Sequence, residues 1–208
     1  WGIDCVLASM GFDAFARALY EERGLVEKVL DLYCEWNIKV VEQLNGVGID
    51  FISSYNNLAF NSGPLFSPQV LRELFLPKMK KVAEACKLPW VFHSDGNLTT
   101  VLEDLLTLGM QGLHPIDPLS MDLKSIKKEF GHRVCLWGNV DLSYTLTRGT
   151  PEEVESEVKR CIRDAGPGGG FILGSANCLP SYVKIENVLT MAGAAKKYGS
   201  YPLDYNLL

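Results

Sequence analysis

Pro89-Trp90-Val91-Phe92-His93-Ser94-Asp95-Gly96-Asn97 is the stretch on which the reading of this chain turns. The apolar run Pro89 to Phe92 has the length and composition of a short buried strand. It stops abruptly at His93, Ser94 and Asp95, turns on Gly96, and meets Asn97, a residue suited to cap a following helix. A dry strand therefore delivers an imidazole and a carboxylate to its C-terminal end. In α/β proteins that end is where ligands bind and chemistry happens. The plainer alternative has His93 hydrogen-bonded in a core and Asp95 shaping the turn, so the rest of the chain must decide.

Outward from this strand the same unit recurs. Strands are expected over Ile49 to Ser53, Gln111 to His114, Arg133 to Trp137 and Phe171 to Leu173. Helices alternate with them. Ser67 caps one with Pro68 in its first turn, and Leu71, Phe75, Met79, Val82 and Cys86 form its apolar stripe. Asn97 opens a second, carrying Val101, Leu102, Leu105 and Leu106, and Gly109 stops it. A third runs from about Met121 to Phe130 and ends at Gly131. Thr150-Pro151-Glu152-Glu153 is a capping box that opens a fourth, with Val154, Val158, Cys161 and Ile162 inward. The last spans about Ile185 to Tyr198, with Val188, Leu189, Ala192 and Ala195 on one face. Ahead of the first strand, helices are expected over Phe12 to Tyr20 and Leu25 to Leu44. The longer one carries Val29, Leu32, Tyr33, Trp36 and Val40 as its stripe. Trp1 to Ser9 is apolar and fits neither period.

Five strand–helix units in alternation imply an α/β fold with a parallel sheet. An open doubly wound sheet and a partial (β/α)8 TIM barrel both fit. A complete barrel needs eight units and typically ~250 residues, so a barrel reading expects about three units to be missing at the front and makes residues 1–208 one N-terminally truncated domain. The run Gly166-Pro167-Gly168-Gly169-Gly170 leaves a helix and enters a strand. That is the wrong order for a phosphate cradle, and a tight turn is expected instead.

The chain has 208 residues, 47% of them apolar, enough for a sizeable core. Its formal net charge of −5 argues against a nucleic-acid partner. No apolar run reaches the ~20 residues of a membrane span, so no membrane partner is expected. The cysteines Cys5, Cys34, Cys86, Cys135, Cys161 and Cys178 are scattered without a CxxC pair, which implies free thiols and a cytoplasmic setting.

The expected strand exits collect the unusual polar residues: Asn56 and Asn57, then His93 and Asp95, His114 and Asp117, Asn139 and Asp141, and finally Asn177 and Cys178. His132 precedes a strand and is expected to be structural. His93, Asp95 and Cys178 are zinc ligands by type, and a site of three such donors with one open position activates a bound thiol or hydroxide. A reading without metal is also open. Asp95, His114, Asp117 and the asparagines would then bind and protonate a small-molecule substrate. Arg148 is the one arginine clearly in a strand-exit loop, which weighs against a polyanionic substrate.

The Phe92 to Asn97 stretch, Trp137-Gly138-Asn139-Val140-Asp141 and Gly149-Thr150-Pro151-Glu152-Glu153-Val154 together resemble the uroporphyrinogen decarboxylase superfamily. Asn177-Cys178-Leu179-Pro180 followed by Ile185-Glu186-Asn187-Val188 fits as well, as does Ser67-Pro68. The resemblance runs from about Leu25 to Pro202 and implies the (β/α)8 barrel, here with about its last five units.

Two activities follow from the resemblance. Decarboxylases of this kind act on a porphyrinogen, in haem biosynthesis, without a cofactor. They use an arginine-rich N-terminal segment, an early aspartate and a histidine in the last strand-exit loop. Here Tyr55-Asn56-Asn57-Leu58 carries amides where acids are common, and Asn177-Cys178 stands where that histidine would lie. The second activity is that of corrinoid-linked methyltransferases, which bind zinc through a His-x-Cys pair and a further cysteine in the final loop. His93 and Cys178 match, and Asp95 replaces the other cysteine. The resemblance thus implies zinc-assisted methyl transfer in a corrinoid-dependent demethylation system, with the corrinoid carried by a partner protein. His93 and Asp95 are the expected catalytic residues. His93, Asp95 and Cys178 are the expected metal ligands. Asn56, Asn57, His114, Asp117, Asn139 and Asn177 are the expected substrate-binding residues. A porphyrinogen decarboxylase, or a silent ligand-binding barrel, is the alternative.

Overall fold

Three helices precede the first strand in the computed structural model, which describes residues 3–208. They are α1 (Ile3–Met10), α2 (Phe12–Glu21) and α3 (Arg23–Leu44). The chain divides into two units, the first ending at Gln111 and the second running from Gly112 to Leu208. Trp1 and Gly2, part of the ambiguous opening, lie outside the described residues; the rest of that opening falls in α1.

In the first unit, β1 (Ile52–Tyr55) and β4 (Trp90–His93) run parallel, with Ile52 opposite Trp90 and Tyr55 opposite His93. Between them come a short hairpin of β2 (Ala59–Phe60) and β3 (Gly63–Pro64), then α4 (Pro68–Val70), a π-helical stretch Leu71–Phe75 and α5 (Leu76–Ala85). Helix α6 (Leu102–Leu106) closes the unit. Strand β1 begins three residues later than expected, because Ile49 and Phe51 are exposed and the parallel pairing starts only at Ile52.

The cap of α4 is as read: Ser67 Oγ accepts the Val70 N–H at 3.2 Å, with Pro68 in the first turn. The π-helical stretch has a cause in the sequence. Pro77 has no N–H to give to the Glu73 carbonyl, and the helix widens so that the Leu76 N–H reaches back five residues to Leu71.

Two expectations in this unit fail. The inward face of α3 is Val26, Leu30, Cys34, Asn37 and Val41, while Leu32 and Trp36 are 67% and 56% exposed. Cys34 and Val41 pack with Val82 of α5. The contact face mixes Val26, Leu30 and Val41 with Cys34, which donates to the Lys78 carbonyl, and Asn37, which donates to that of Tyr33. A stripe chosen by counting large side chains therefore lands on the wrong side. The second failure is the cap of α6. Asn97 Oδ1 accepts the Thr99 N–H at 3.0 Å in a local turn, and this turn delays the helix to Leu102. Leu98, Val101, Leu102 and Leu105 are nonetheless buried, and Gly109 ends the segment at φ +80°.

In the second unit, β5 (Gly112–His114), β6 (Cys135–Val140) and β7 (Phe171–Ser175) are parallel, β6 pairing with both neighbours. Helices α7 (Leu123–Phe130), α8 (Pro151–Ala165) and α9 (Ile185–Tyr198) follow their strands. The capping box of α8 is present in both directions: Thr150 Oγ1 accepts the Glu153 N–H, and Glu153 Oε2 accepts the Thr150 N–H at 2.7 Å. Its stripe is buried as expected, and each of its valine and isoleucine side chains contributes roughly 1.5–3 kcal/mol. Gly168, Gly169 and Gly170 all take positive φ in the turn into β7.

Strand β6 is longer than expected and includes Asn139. The buried face of α9 is Asn187, Ala194 and Tyr198, not Val188, Leu189 and Ala192. Asn187 is the reason, since its Nδ2 donates to the carbonyls of Thr145, Leu146 and Gly149. A polar anchor sets the helix rotation where an apolar stripe was expected.

Candidate functional site

The first unit gathers a polar group at the C-terminal ends of β1 and β4. His93 is the last residue of β4 and only 3% exposed. Its Nε2 lies 3.7 Å from Asp95 Oδ1, whose side chain is 36% exposed. The Tyr55 ring sits 4.6 Å from the imidazole, a contact set by the register that places Tyr55 opposite His93. Ser94 Oγ accepts the Leu58 N–H and donates to the Asp95 carbonyl, both at 3.0 Å. Asn57 Oδ1 accepts the Asp95 N–H at 3.4 Å, and the Asn57 N–H donates to Asp4 Oδ1. Asn56 is buried; its N–H donates to the His93 carbonyl and its Nδ2 to Ser54 Oγ. Gly96 lets the chain leave the site. At φ +81° it lies so close to the hairpin that a Cβ would stand 2.4 Å from the Ala59 carbonyl oxygen.

Four of the expected site residues, His93, Asp95, Asn56 and Asn57, are therefore brought together, with hydrogen bonds running between the exits of β1 and β4. Tyr55 and Asp4 join them unforeseen. Tyr55 is legible only once β1 is placed in register. Nothing in the sequence links Asp4 to Asn57, fifty-three residues away.

The second unit places its own strand-exit residues. His114 is half-buried, its ring 4.8 Å from that of Trp137 and its Nε2 3.3 Å from the Ser175 carbonyl, to which the N–H donates. Burial pulls the imidazole pKa down, and the hydrogen bond to Ser175 only partly opposes this. Asp117 accepts from the Leu119 N–H and the Ser120 hydroxyl in its turn. Asn139 turns its amide toward α8, where its Oδ1 accepts from Arg160 Nη2. Asn177 Oδ1 accepts the Cys178 N–H, and Cys178 is exposed. An open cleft of about 540 Å³ lies beside these exits, lined among others by Leu119, Asp122, Asn139, Asp141, Glu157 and Arg160. Asp141 is held below the usual carboxylate range. Burial alone would raise it, but bonds from Ser143, Tyr144 and Thr145 outweigh that. Glu157 and Arg160 lacked any site signal because they belong to a helix interior.

Among the described residues, no group of three or more His, Cys, Asp or Glu side chains is gathered to hold a metal ion. The His93–Asp95 pair still suits zinc in two respects. Imidazole nitrogen and carboxylate oxygen are both zinc donors. Bonds of ~2.0–2.2 Å at the tetrahedral angle put two such ligands about 3.3–3.5 Å apart, close to the separation seen. No helix among the described residues is long and apolar enough to cross a membrane.

The family model of uroporphyrinogen decarboxylase (URO-D) matches residues 1–198. The methylcobamide:CoM methyltransferase MtaA of Methanosarcina barkeri is 24% identical over 185 residues, covering 89% of this chain and 52% of its own. The uroporphyrinogen decarboxylase of Chlorobaculum tepidum is 28% identical over 182 residues, covering 78% of this chain and 48% of its own. Among solved structures, a methyltransferase from Methanosarcina mazei superposes with a TM-score of 0.82 at 23% identity, covering 95% of this chain and 56% of its own. The chain thus spans about half the length of these relatives. It belongs to the uroporphyrinogen decarboxylase family.

Proposed function

We propose that this member of the uroporphyrinogen decarboxylase family is an enzyme of zinc-assisted methyl transfer in a corrinoid-dependent demethylation system. Its domain would be a (β/α)8 barrel to which the chain supplies about the last five strand–helix units. The His93–Asp95 pair at the exit of β4 is the observation that carries the reading. Support comes from the two relatives and the solved structure named as methyltransferases or decarboxylases.

His93 and Asp95 would hold the zinc, with Cys178 as the third ligand. When bound, zinc supplies Lewis acidity toward a thiol or the methyl donor's heteroatom. The chain's own residues do the positioning. Tyr55 fixes the plane of the imidazole, the Asn56 N–H holds the His93 carbonyl, and Ser94 with Asn57 fixes the backbone that carries the Asp95 carboxylate. Asn56, Asn57, His114, Asp117 and Asn177 would contact the small-molecule substrate; Asn139, expected among them, commits its amide to Ile116, Arg160 and Cys161 instead. The corrinoid would arrive on a partner protein, and six free cysteines suit a reducing cytoplasmic setting.

Decarboxylation of a porphyrinogen, with Asp95 and His93 as proton-transfer or substrate-binding groups, is the second reading, favoured by the 28% identity to a decarboxylase. The full-length protein, given methylcobalamin and a thiol, should demethylate the corrinoid and lose this activity with a chelator. Porphyrinogen turnover that persists with the chelator would replace this reading with the second one. Neither activity would leave a silent barrel.

A further inference from the structure

Helix α8 reaches two strand exits of its unit from behind. Arg160 Nη2 donates to Asn139 Oδ1 and to Glu157 Oε1, both at 3.3 Å, and Nη1 lies 3.7 Å from Asp164 Oδ2. The buried Cys161 thiol also donates to Asn139 Oδ1, at 3.4 Å. On its other side the Asn139 amide donates from Nδ2 to the Ile116 carbonyl at 2.8 Å. Glu157 Oε1 also accepts the Asp141 N–H at 2.9 Å. One face of α8 therefore grips the segment after β5 through Asn139 and the segment after β6 through Asp141.

What the grip holds is unusual. Ile116 is fully buried at φ +53°, a left-handed conformation that is rare for a β-branched residue. Such a conformation persists only where its surroundings over-determine it. Ile116 directly precedes Asp117 and follows His114 by two residues, so its conformation sets how the chain passes from one to the other. Glu157 and Asp164 are mostly covered, and the half-exposed Arg160 pairs with both. The planar guanidinium serves several acceptors at once, which a lysine ammonium does not do with the same geometry.

We infer that Asn139, Arg160 and Glu157 are positioning residues, a relay from α8 that holds Ile116 and thereby fixes His114 and Asp117 for the substrate. What those two side chains contact rests on the proposed function; the relay itself does not.

The test compares the full-length wild-type protein with Arg160→Met, Arg160→Lys and the double variant Arg160→Met/Glu157→Gln, which leaves no unpaired charge at the 157–160 contact. Hydrogen exchange should speed up roughly tenfold or more at amides 116–121 in Arg160→Met and in the double variant, less in Arg160→Lys, with α9 unchanged. In the methyl-transfer assay KM should rise roughly tenfold with kcat within about twofold, and Arg160→Lys should recover part of it. Unchanged exchange at 116–121, or acceleration spread equally through α9, would overturn the relay. So would a loss of kcat at constant KM. If the wild-type protein transfers no methyl group, the proposed function fails, and the exchange result still decides the relay.

Discussion

His93 Nε2 and Asp95 Oδ1 face each other at 3.7 Å across one intervening residue, with the imidazole buried and the carboxylate at the surface of the site. A strand ending in His-Ser-Asp-Gly achieves this because Ser94 turns inward to bind the Leu58 N–H, leaving the residues on either side pointed together. The pair is local, so it depends on the turn that follows it.

That dependence is open to measurement at Gly96. Gly96→Ala places a Cβ at positive φ and 2.4 Å from the Ala59 carbonyl oxygen, whereas Gly109→Ala meets the same φ in open space. Denaturant unfolding should show Gly109→Ala costing ~1–2 kcal/mol. Gly96→Ala should cost at least ~1–3 kcal/mol more, because hairpin or turn must also move. Equal losses would mean the hairpin does not constrain the turn.

Thr150→Ala removes the side chain that accepts the Glu153 N–H at the start of α8. The expected loss is ~1 kcal/mol of stability, and Glu153→Ala should be non-additive with it because the two bonds form one box. A double-mutant cycle by thermal unfolding checks this, and strict additivity would contradict the box.

His114 makes stability depend on pH. Its pKa in the folded protein is below the ordinary 6.5, so between the two values the unfolded chain binds more protons. Stability then rises with pH across that window. The contribution is full above about 6.5 and is lost as pH falls toward the folded pKa. His114→Gln should flatten this part of the stability curve, and an unaltered slope would assign it to another group.

Much of this was legible from residue order. Alternating strands and helices, the capping box at Thr150 and the His93-Ser94-Asp95-Gly96 exit are local patterns, and local patterns fix local structure. The failures have other causes. On α3 the inward residues are Val26, Leu30, Cys34, Asn37 and Val41, a period masked by the large but exposed Leu32 and Trp36. On α9 the rotation is set by Asn187, whose amide satisfies distant backbone that no apolar period betrays. By sequence Asn139 belongs to a strand-exit loop, yet it lies within β6 and turns to α8. It follows Gly138 at φ +140°, a conformation that frees the chain from strict alternation. The Asp4–Asn57 contact depends on tertiary packing alone and leaves no trace in either neighbourhood.

Zinc content tests the central claim most directly. The full-length protein, purified under reducing conditions, should hold about one zinc per chain, and His93→Ala and Cys178→Ala should each lose it while still giving a cooperative melt. A folded, reduced protein with no zinc, or one whose zinc survives both substitutions, would contradict the assignment of His93, Asp95 and Cys178 as its ligands.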